Sequence, residues 1–292
     1  MAVRVVTDST SYIPAAESAE LGINVVQLSA TLGGVTRTED EIDAEAFYRA
    51  MRQTGETPTS SQPTVASMVE AFESPVSEGH EVVAVLLSSK MSGTYETALM
   101  AREQVAARHP GARIEVVDSL SNCMEEGFAV LAAARVARDG GTVESAAAAA
   151  RETTNRTRWL FAPASLEYLR MGGRIGNARA LLGSLLQVRP ILTVVDGVTS
   201  TVRSVRTQRR AMETIADMVA LDSEKHGLAD IVVHHILDVE EAEALADILS
   251  PRLGLRPRVQ LIGPAIGLHV GPGTLGVVYE TRSHLHKNST DA

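Results

Sequence analysis

The apolar run Val82-Val83-Ala84-Val85-Leu86-Leu87 leads straight into Ser88-Ser89-Lys90-Met91-Ser92-Gly93-Thr94-Tyr95, and Glu96 to Arg108 then takes up the apolar spacing of a helix. This stretch constrains the fold more than any other. A run apolar at every position is a strand covered on both faces, and a strand passing into a helix through a short turn is one step of a parallel sheet. The turn also has a chemistry. A strand that ends in hydroxyl residues and Gly just ahead of a helix leaves unpaired backbone N–H groups beside O–H donors, which suits an anionic head group. Ser and Gly equally serve as an N-cap and a tight turn, so both readings stand at this point.

The pattern recurs along the first half. Val3 to Val6 reads as a strand ending in Asp8-Ser9-Thr10-Ser11, and Arg113 to Val117 as one ending in Asp118-Ser119. Three strand ends with small polar groups imply one shared rim, where open α/β sheets collect their ligands. Pro14 opens a short helix through Leu21, Asn24 to Leu28 reads as a second strand, and Asp43 caps a helix through Phe47, Tyr48 and Met51 to Gln53. In Gly55 to Thr64, dense in hydroxyls, Pro63 is predicted to enter a helix from Thr64 to Ser77, placing Ser60 and Ser61 near its N-terminus as a second donor cluster. Ala-rich helices follow over Ser121 to Arg138 and Val143 to Thr154, separated at Gly140-Gly141.

From Arg158 the texture changes. Trp159 to Ala162 is a short strand and Ser165 to Leu169 a short helix, followed by the apolar Leu181 to Val188. Pro190 to Val195 turns at Asp196-Gly197 into Val198 to Val202, a hairpin signal that predicts antiparallel pairing. A second, α+β domain is therefore expected to begin near residue 158, giving domains 1–157 and 158–282 and a polar, disordered tail over 283–292. Arg206 to Leu221 is an amphipathic helix, Ala229 to His235 a strand, Glu240 to Leu249 a helix and Arg258 to Ile262 a strand. Gly263 to Gly276, rich in Gly and Pro, cannot be a regular helix or strand throughout; it frames His269, its one titratable side chain.

Composition removes several function classes. The chain has 292 residues, a formal net charge of −9 and 3% aromatics, against the basic excess and stacking surfaces of nucleic-acid binders. One cysteine, Cys123, allows neither an internal disulfide nor a cysteine-rich metal site, and it reads as a small apolar filler on a helix. The apolar part of Met1 to Asp8 is too short for a signal peptide, and no stretch approaches a membrane span, so the protein is expected to be soluble and cytoplasmic. There is no Gly-x-Ser-x-Gly elbow, no P-loop and no glycine-rich dinucleotide turn after the first strand. His234 and His235 are adjacent on a strand and point to opposite faces, which makes them a poor metal pair. Donors for an anion without a nucleophile favour a binding protein over an enzyme.

The assembled motifs resemble the DegV family of bacterial fatty-acid-binding proteins. The resemblance runs from Val3 to about Thr281 and rests on Thr7-Asp8-Ser9-Thr10, Ser60-Ser61-Gln62-Pro63 and Ser88 to Tyr95, followed by Arg170-Met171-Gly172-Gly173-Arg174-Ile175, Arg189-Pro190-Ile191-Leu192 and the Gly263 to Gly276 segment. It implies an α/β fold: an N-terminal three-layer α/β/α domain with a mostly parallel sheet, a C-terminal α+β domain, and a fatty acid buried between them. Carried over by position, the carboxylate would be held by Ser60 and Ser92, with Ser61, the Gly93 N–H and His269. The family commonly has Thr where this chain has Ser60, a change that keeps the hydroxyl and drops the methyl.

The resemblance further implies a carrier without activity of its own, holding a long-chain fatty acid such as palmitate or oleate and no other cofactor. It would present the acid to the catalytic subunit of a fatty acid kinase, which makes acyl phosphate for phospholipid synthesis, and could touch a membrane surface transiently. Arg170, Arg174, Arg203 and Arg206 would then offer partner or phosphate contacts, though each also fits a solvated basic face, and residues between Leu166 and Leu186 would line the acyl chain, though core packing explains them equally well. Two alternatives stand beside this one. One is a ligand-responsive regulator; the other is a lipid hydrolase or acyltransferase using Ser92 with His269.

Overall fold

The computed structural model describes residues 2–182 and 188–285. Part of the apolar stretch read over Leu181 to Val188, the last acyl-lining candidates and most of the polar tail lie outside them. In chain order the first half holds β1 (Val3–Asp8), α1 (Ala15–Leu21), β2 (Asn24–Val26), β3 (Ser29–Leu32), β4 (Val35–Thr38), α2 (Ala44–Thr54) and β5 (Thr59–Ser61). It continues with α3 (Val65–Ser77), β6 (Glu81–Leu86), α4 (Thr94–Arg108), β7 (Ile114–Asp118), α5 (Cys123–Arg138) and α6 (Val143–Thr154). The second half holds β8 (Thr157–Ala162), α7 (Glu167–Met171), β9 (Arg189–Val195), β10 (Val198–Val205), α8 (Gln208–His226) and β11 (Leu228–His235). It closes with α9 (Val239–Leu253), β12 (Arg258–Leu261), α10 (Pro264–Val270) and β13 (Leu275–Thr281).

Two compact units emerge. The first comprises Met1–Ala30, Thr36–Glu41 and Ser60–Thr154; the second comprises Thr31–Val35, Ile42–Thr59 and Asn155–Ala292. The sequence reading used one cut after residue 157, whereas here α2 and the loop to residue 59 group with the second half. The reason is specific packing. Tyr48 on α2 is fully buried and donates its hydroxyl to the Ile262 carbonyl at 2.8 Å, while Gly267 on α10 gives its ring the room it needs. Three short strands form a small sheet of their own in the order β4-β3-β5.

The first unit is built on a parallel sheet in the order β2-β1-β6-β7. All six residues of β6 are buried, as expected for a central strand covered on both faces. Val82, Ala84 and Leu86 pack with Met68 and Phe72 of α3 and Ala98, Ala101 and Val105 of α4. Helices α5 and α6 contact β1, β6 and β7. The central strand carries apolar residues at both parities, so each face finds its own helix layer.

The second unit holds a mixed sheet in the order β10-β9-β8-β13-β11-β12. Its pairs are antiparallel except β11 with β12. The hairpin predicted at Asp196-Gly197 is present, with both residues at positive φ, 50° and 81°. That is the backbone a two-residue turn between twisted strands requires. One face packs Leu160, Ile191, Val233 and Val277 against Ile215 of α8 and Leu245 and Leu249 of α9. The Gly-rich segment resolves into one short helix with Pro264 at its start and a loop closing at Gly271 and Gly273, both at positive φ.

Because a β-carbon at 267 would overlap the buried Tyr48 hydroxyl, Gly267→Ala is expected to destabilise the protein by about 1–3 kcal/mol through overpacking. Denaturant melts check it. Gly267→Ala in a Tyr48→Phe background should recover part of the loss, and an unchanged midpoint in the single variant would contradict the packing described.

Candidate functional site

The ends of β1, β6 and β7 carry Asp8, Leu87-Ser88 and Asp118, and between them they fix the loop that leads to α4. Asp8 Oδ1 accepts from the Thr10 N–H at 2.9 Å and the Thr10 hydroxyl at 2.6 Å, while Oδ2 accepts from the Leu87 N–H at 2.9 Å. The Ser88 N–H donates to Ser121 O at 2.8 Å, and the Ser89 N–H to both Asp118 oxygens at 3.3 Å. The Ser88 hydroxyl accepts from Lys90 N–H, and its carbonyl from the Met91 and Ser92 N–H groups. Each backbone donor from Leu87 to Ser92 therefore has an acceptor on the protein.

The loop delivers its last residues to a helix end. Gly93 is the N-cap of α4 and supplies no side-chain cap, so the first-turn N–H groups lack carbonyls one turn back. Ser92 Oγ lies 2.9 Å from Thr94 Oγ1 and accepts from the Thr94 N–H at 3.3 Å. Gln62 lies against Gly93, where any β-carbon would overlap its side-chain amide, and its Nε2 donates to Thr97 Oγ1 at 2.9 Å. Gln62 thus brings the Ser60-Ser61 segment to α4. The sequence reading placed these serines near the start of α3. They lie on β5, and Thr64 caps α3 through Ser67 N–H at 3.1 Å. Ser60 and Ser92 are half-buried and Ser61 is exposed.

His269 belongs to the second unit, on α10. It borders a cavity of about 360 Å³ lined by Met51, Pro58, Tyr168, Met171 and Leu268 among others. That volume lies within the roughly 300–1,000 Å³ usual for small-molecule sites. Two glycines shape it: a β-carbon at 172 would overlap His269 Nδ1, and one at 271 would overlap the Tyr168 ring. Burial, reinforced by the nearby Arg174 charge, lowers the His269 imidazole to about 4, so it is neutral near pH 7. The cavity it borders mixes these apolar side chains with polar ones, Glu56, Thr57, Ser165 and Glu167.

The four arginines singled out in the sequence fall on separate segments. Arg170, exposed on α7, is held by both oxygens of Glu167. Arg174 is half-buried and donates to the Gly172 carbonyl at 2.6 Å. Arg203 stands on β10 at a register shift opposite Ile191, and Arg206 follows β10; both are exposed. The turn after α7 is tied to β10, with Asn177 donating to the Ser200 hydroxyl at 3.2 Å.

One constellation escaped the sequence reading. Glu126 on α5 is fully buried beside Asp8, with Thr10 Oγ1 at 3.0 Å and Thr7 Oγ1 at 3.3 Å. The available signal was a glutamate directly before the apolar run Gly127-Phe128-Ala129-Val130-Leu131, on the face α5 turns to the sheet. Cys123 nearby is buried as expected. It opens α5 with φ at 54°, and burial and then Glu126 push its thiol up, which keeps it protonated and unreactive. Among the described residues no cluster of His, Cys, Asp or Glu could hold a metal ion, and no helix is long and apolar enough to cross a membrane.

Comparison with known proteins follows the same lines. The family model described as "Uncharacterised protein, DegV family" matches residues 2–282. A DegV domain-containing protein of Clostridium acetobutylicum is 44% identical over 285 residues, covering 98% of this chain and 100% of its own. One from Streptomyces coelicolor is 38% identical, covering 96% and 99%. Among solved structures, a DegV family protein of Thermus thermophilus, described by its fatty acid binding, superposes with a TM-score of 0.89 at 29% identity, covering 96% of this chain and 100% of that one. DegV of Bacillus subtilis, described as a fatty acid binding protein, superposes at 0.86 with 31% identity, covering 96% and 99%. Sequence motifs, parallel-sheet rim, glycine-framed histidine and full-length matches agree: this chain belongs to the DegV family.

Proposed function

We propose that this protein binds a long-chain fatty acid, holds its carboxylate with hydroxyl and backbone donors, and presents it to a fatty acid kinase. The observation that carries the reading is the Ser92-Gly93 corner. A hydroxyl and a helix N-terminus whose N-cap residue is Gly93 sit together on a loop whose other donors are already satisfied by the protein. A carboxylate needs charge-assisted donors when it leaves water, and this corner supplies them, with Ser60 and Ser61 brought to α4 by Gln62. The Thermus thermophilus and Bacillus subtilis relatives, described as binding fatty acids, support the ligand class. An acyl chain gains about 0.8 kcal/mol per buried methylene.

A hydrolase would need a base on the serine. The hydroxyl group on Thr94 that Ser92 meets cannot take up its proton, so the corner binds an anion and leaves it intact. The acid's activation then falls to a partner. Exposed Arg203 and Arg206, with Arg170 and Arg174, would attract an acidic kinase surface or its nucleotide's phosphates.

Three measurements test this reading. Ser92→Ala removes a hydrogen bond to a charged group, worth about 1.5–3 kcal/mol, and is expected to weaken oleate binding roughly 10- to 150-fold by calorimetric titration, with Ser60→Ala adding to it. Unchanged affinity in both would contradict the assignment. In an imidazole NMR titration His269 should protonate only near pH 4. Because the unfolded residue protonates near 6.5, its burial lowers stability as pH falls through that window. A midpoint near 6.5 would contradict the buried, neutral site. Arg203→Glu combined with Arg206→Glu is expected to raise the kinase's KM for the loaded carrier while oleate affinity holds; an unchanged KM would remove the docking assignment.

A further inference from the structure

Asp8 and Glu126 are both fully buried, and Asp8 holds the start of the 88–93 loop. The last register pair between β1 and β6 is Thr7 with Val85. Beyond it, Asp8 Oδ2 takes the Leu87 N–H, so one side chain extends the tie between the two strands to the point where the loop departs. The other oxygen takes both donors of Thr10. Three donors converge on Asp8, two of them backbone N–H groups that cannot turn away.

Glu126 shares Thr10 with Asp8. Thr10 Oγ1 lies 2.6 Å from Asp8 Oδ1 and 3.0 Å from Glu126 Oε2, and a hydroxyl has one proton to give. We propose that Asp8 and Glu126 form a positioning pair for the 88–93 loop, one carboxyl protonated and bonded to the other, so that the pair sets the affinity of Ser92 and Gly93 for a carboxylate. The inference rests on the fatty-acid reading for its ligand, and on the geometry of the pair alone for its effect on the loop.

The proton resides on Glu126. Asp8 has three donors and needs to remain an acceptor, whereas Glu126 is raised well above the ordinary glutamate range by burial and then by the Asp8 charge. The neighbouring titratable groups are acidic: Glu39, bonded to the Ser9 and Tyr12 hydroxyls; Glu125, bonded to the Ser121 hydroxyl; and the Cys123 thiol. Among the described residues no cation is a leading influence on either carboxyl, so loss of the shared proton sets two buried carboxylates against each other across Thr10. For an acid raised in the fold, stability declines as pH climbs from the ordinary value of 4.5 toward the raised one. The loop therefore loosens as pH rises.

The test uses the full chain in three forms, wild type, Glu126→Gln and Asp8→Asn, with oleate titrated calorimetrically from pH 6 to 10 and amide exchange followed across residues 87–94 of the ligand-free protein. Glu126→Gln mimics the protonated carboxyl; it is expected to lose less affinity than wild type as pH rises. Asp8→Asn turns an amide donor toward an N–H or hydroxyl; it is expected to bind roughly tenfold more weakly and to exchange faster at 87–94. Wild type and Glu126→Gln with the same pH profile, or Asp8→Asn with wild-type exchange, would overturn the pair's role. If Asp8→Asn does not fold, the comparison of wild type with Glu126→Gln decides alone. A wild type that binds no oleate removes the ligand reading instead, and the exchange profiles then judge the pair without it.

Discussion

A buried carboxylate with no cation beside it is the constraint on which the first unit turns. Leaving Asp8 unsatisfied at the end of β1 would cost several kcal/mol, so the chain around it is arranged to supply donors: a 3-10 turn at Ser9–Ser11 for one oxygen, the first N–H beyond β6 for the other. Satisfying Asp8 fixes where β6 lets go of the sheet. That in turn fixes where Ser88 begins its own turn and where Gly93 opens α4. The Ser92-Gly93 corner is placed by a charge buried several residues away.

The second unit solves a different problem, that of keeping an apolar wall beside a polar group. Helix α10 is short and built to be approached closely: Gly267 admits Tyr48, and Gly271 admits Tyr168. The neighbouring Gly172 admits the His269 ring itself. Larger residues at these positions would force the walls apart. His269 is left neutral by burial, able to donate or accept one hydrogen bond without carrying charge into the cavity.

What the sequence made legible was local. The continuous apolar run of β6, the Asp-Gly turn between β9 and β10, the Asp43 cap of α2 and the bounds of α6 all follow from neighbours along the chain, and all are present. What escaped depends on residues far apart in sequence. Ser60 and Ser61 reach α4 because Gln62 finds Thr97, and α2 joins the second unit because Tyr48 finds Ile262. No period or cap encodes such contacts. Glu126 escaped because a glutamate in a helix reads as solvent-facing unless its partner, here Asp8 more than a hundred residues earlier, is already in place.

The central claim is that the protein carries a fatty acid. Mass spectrometry of the purified protein, first native and then after organic extraction, tests it most directly. The account predicts a stoichiometric adduct that extracts as a long-chain fatty acid, its mass giving the chain length. Protein that arrives empty and takes up neither added palmitate nor added oleate would contradict it.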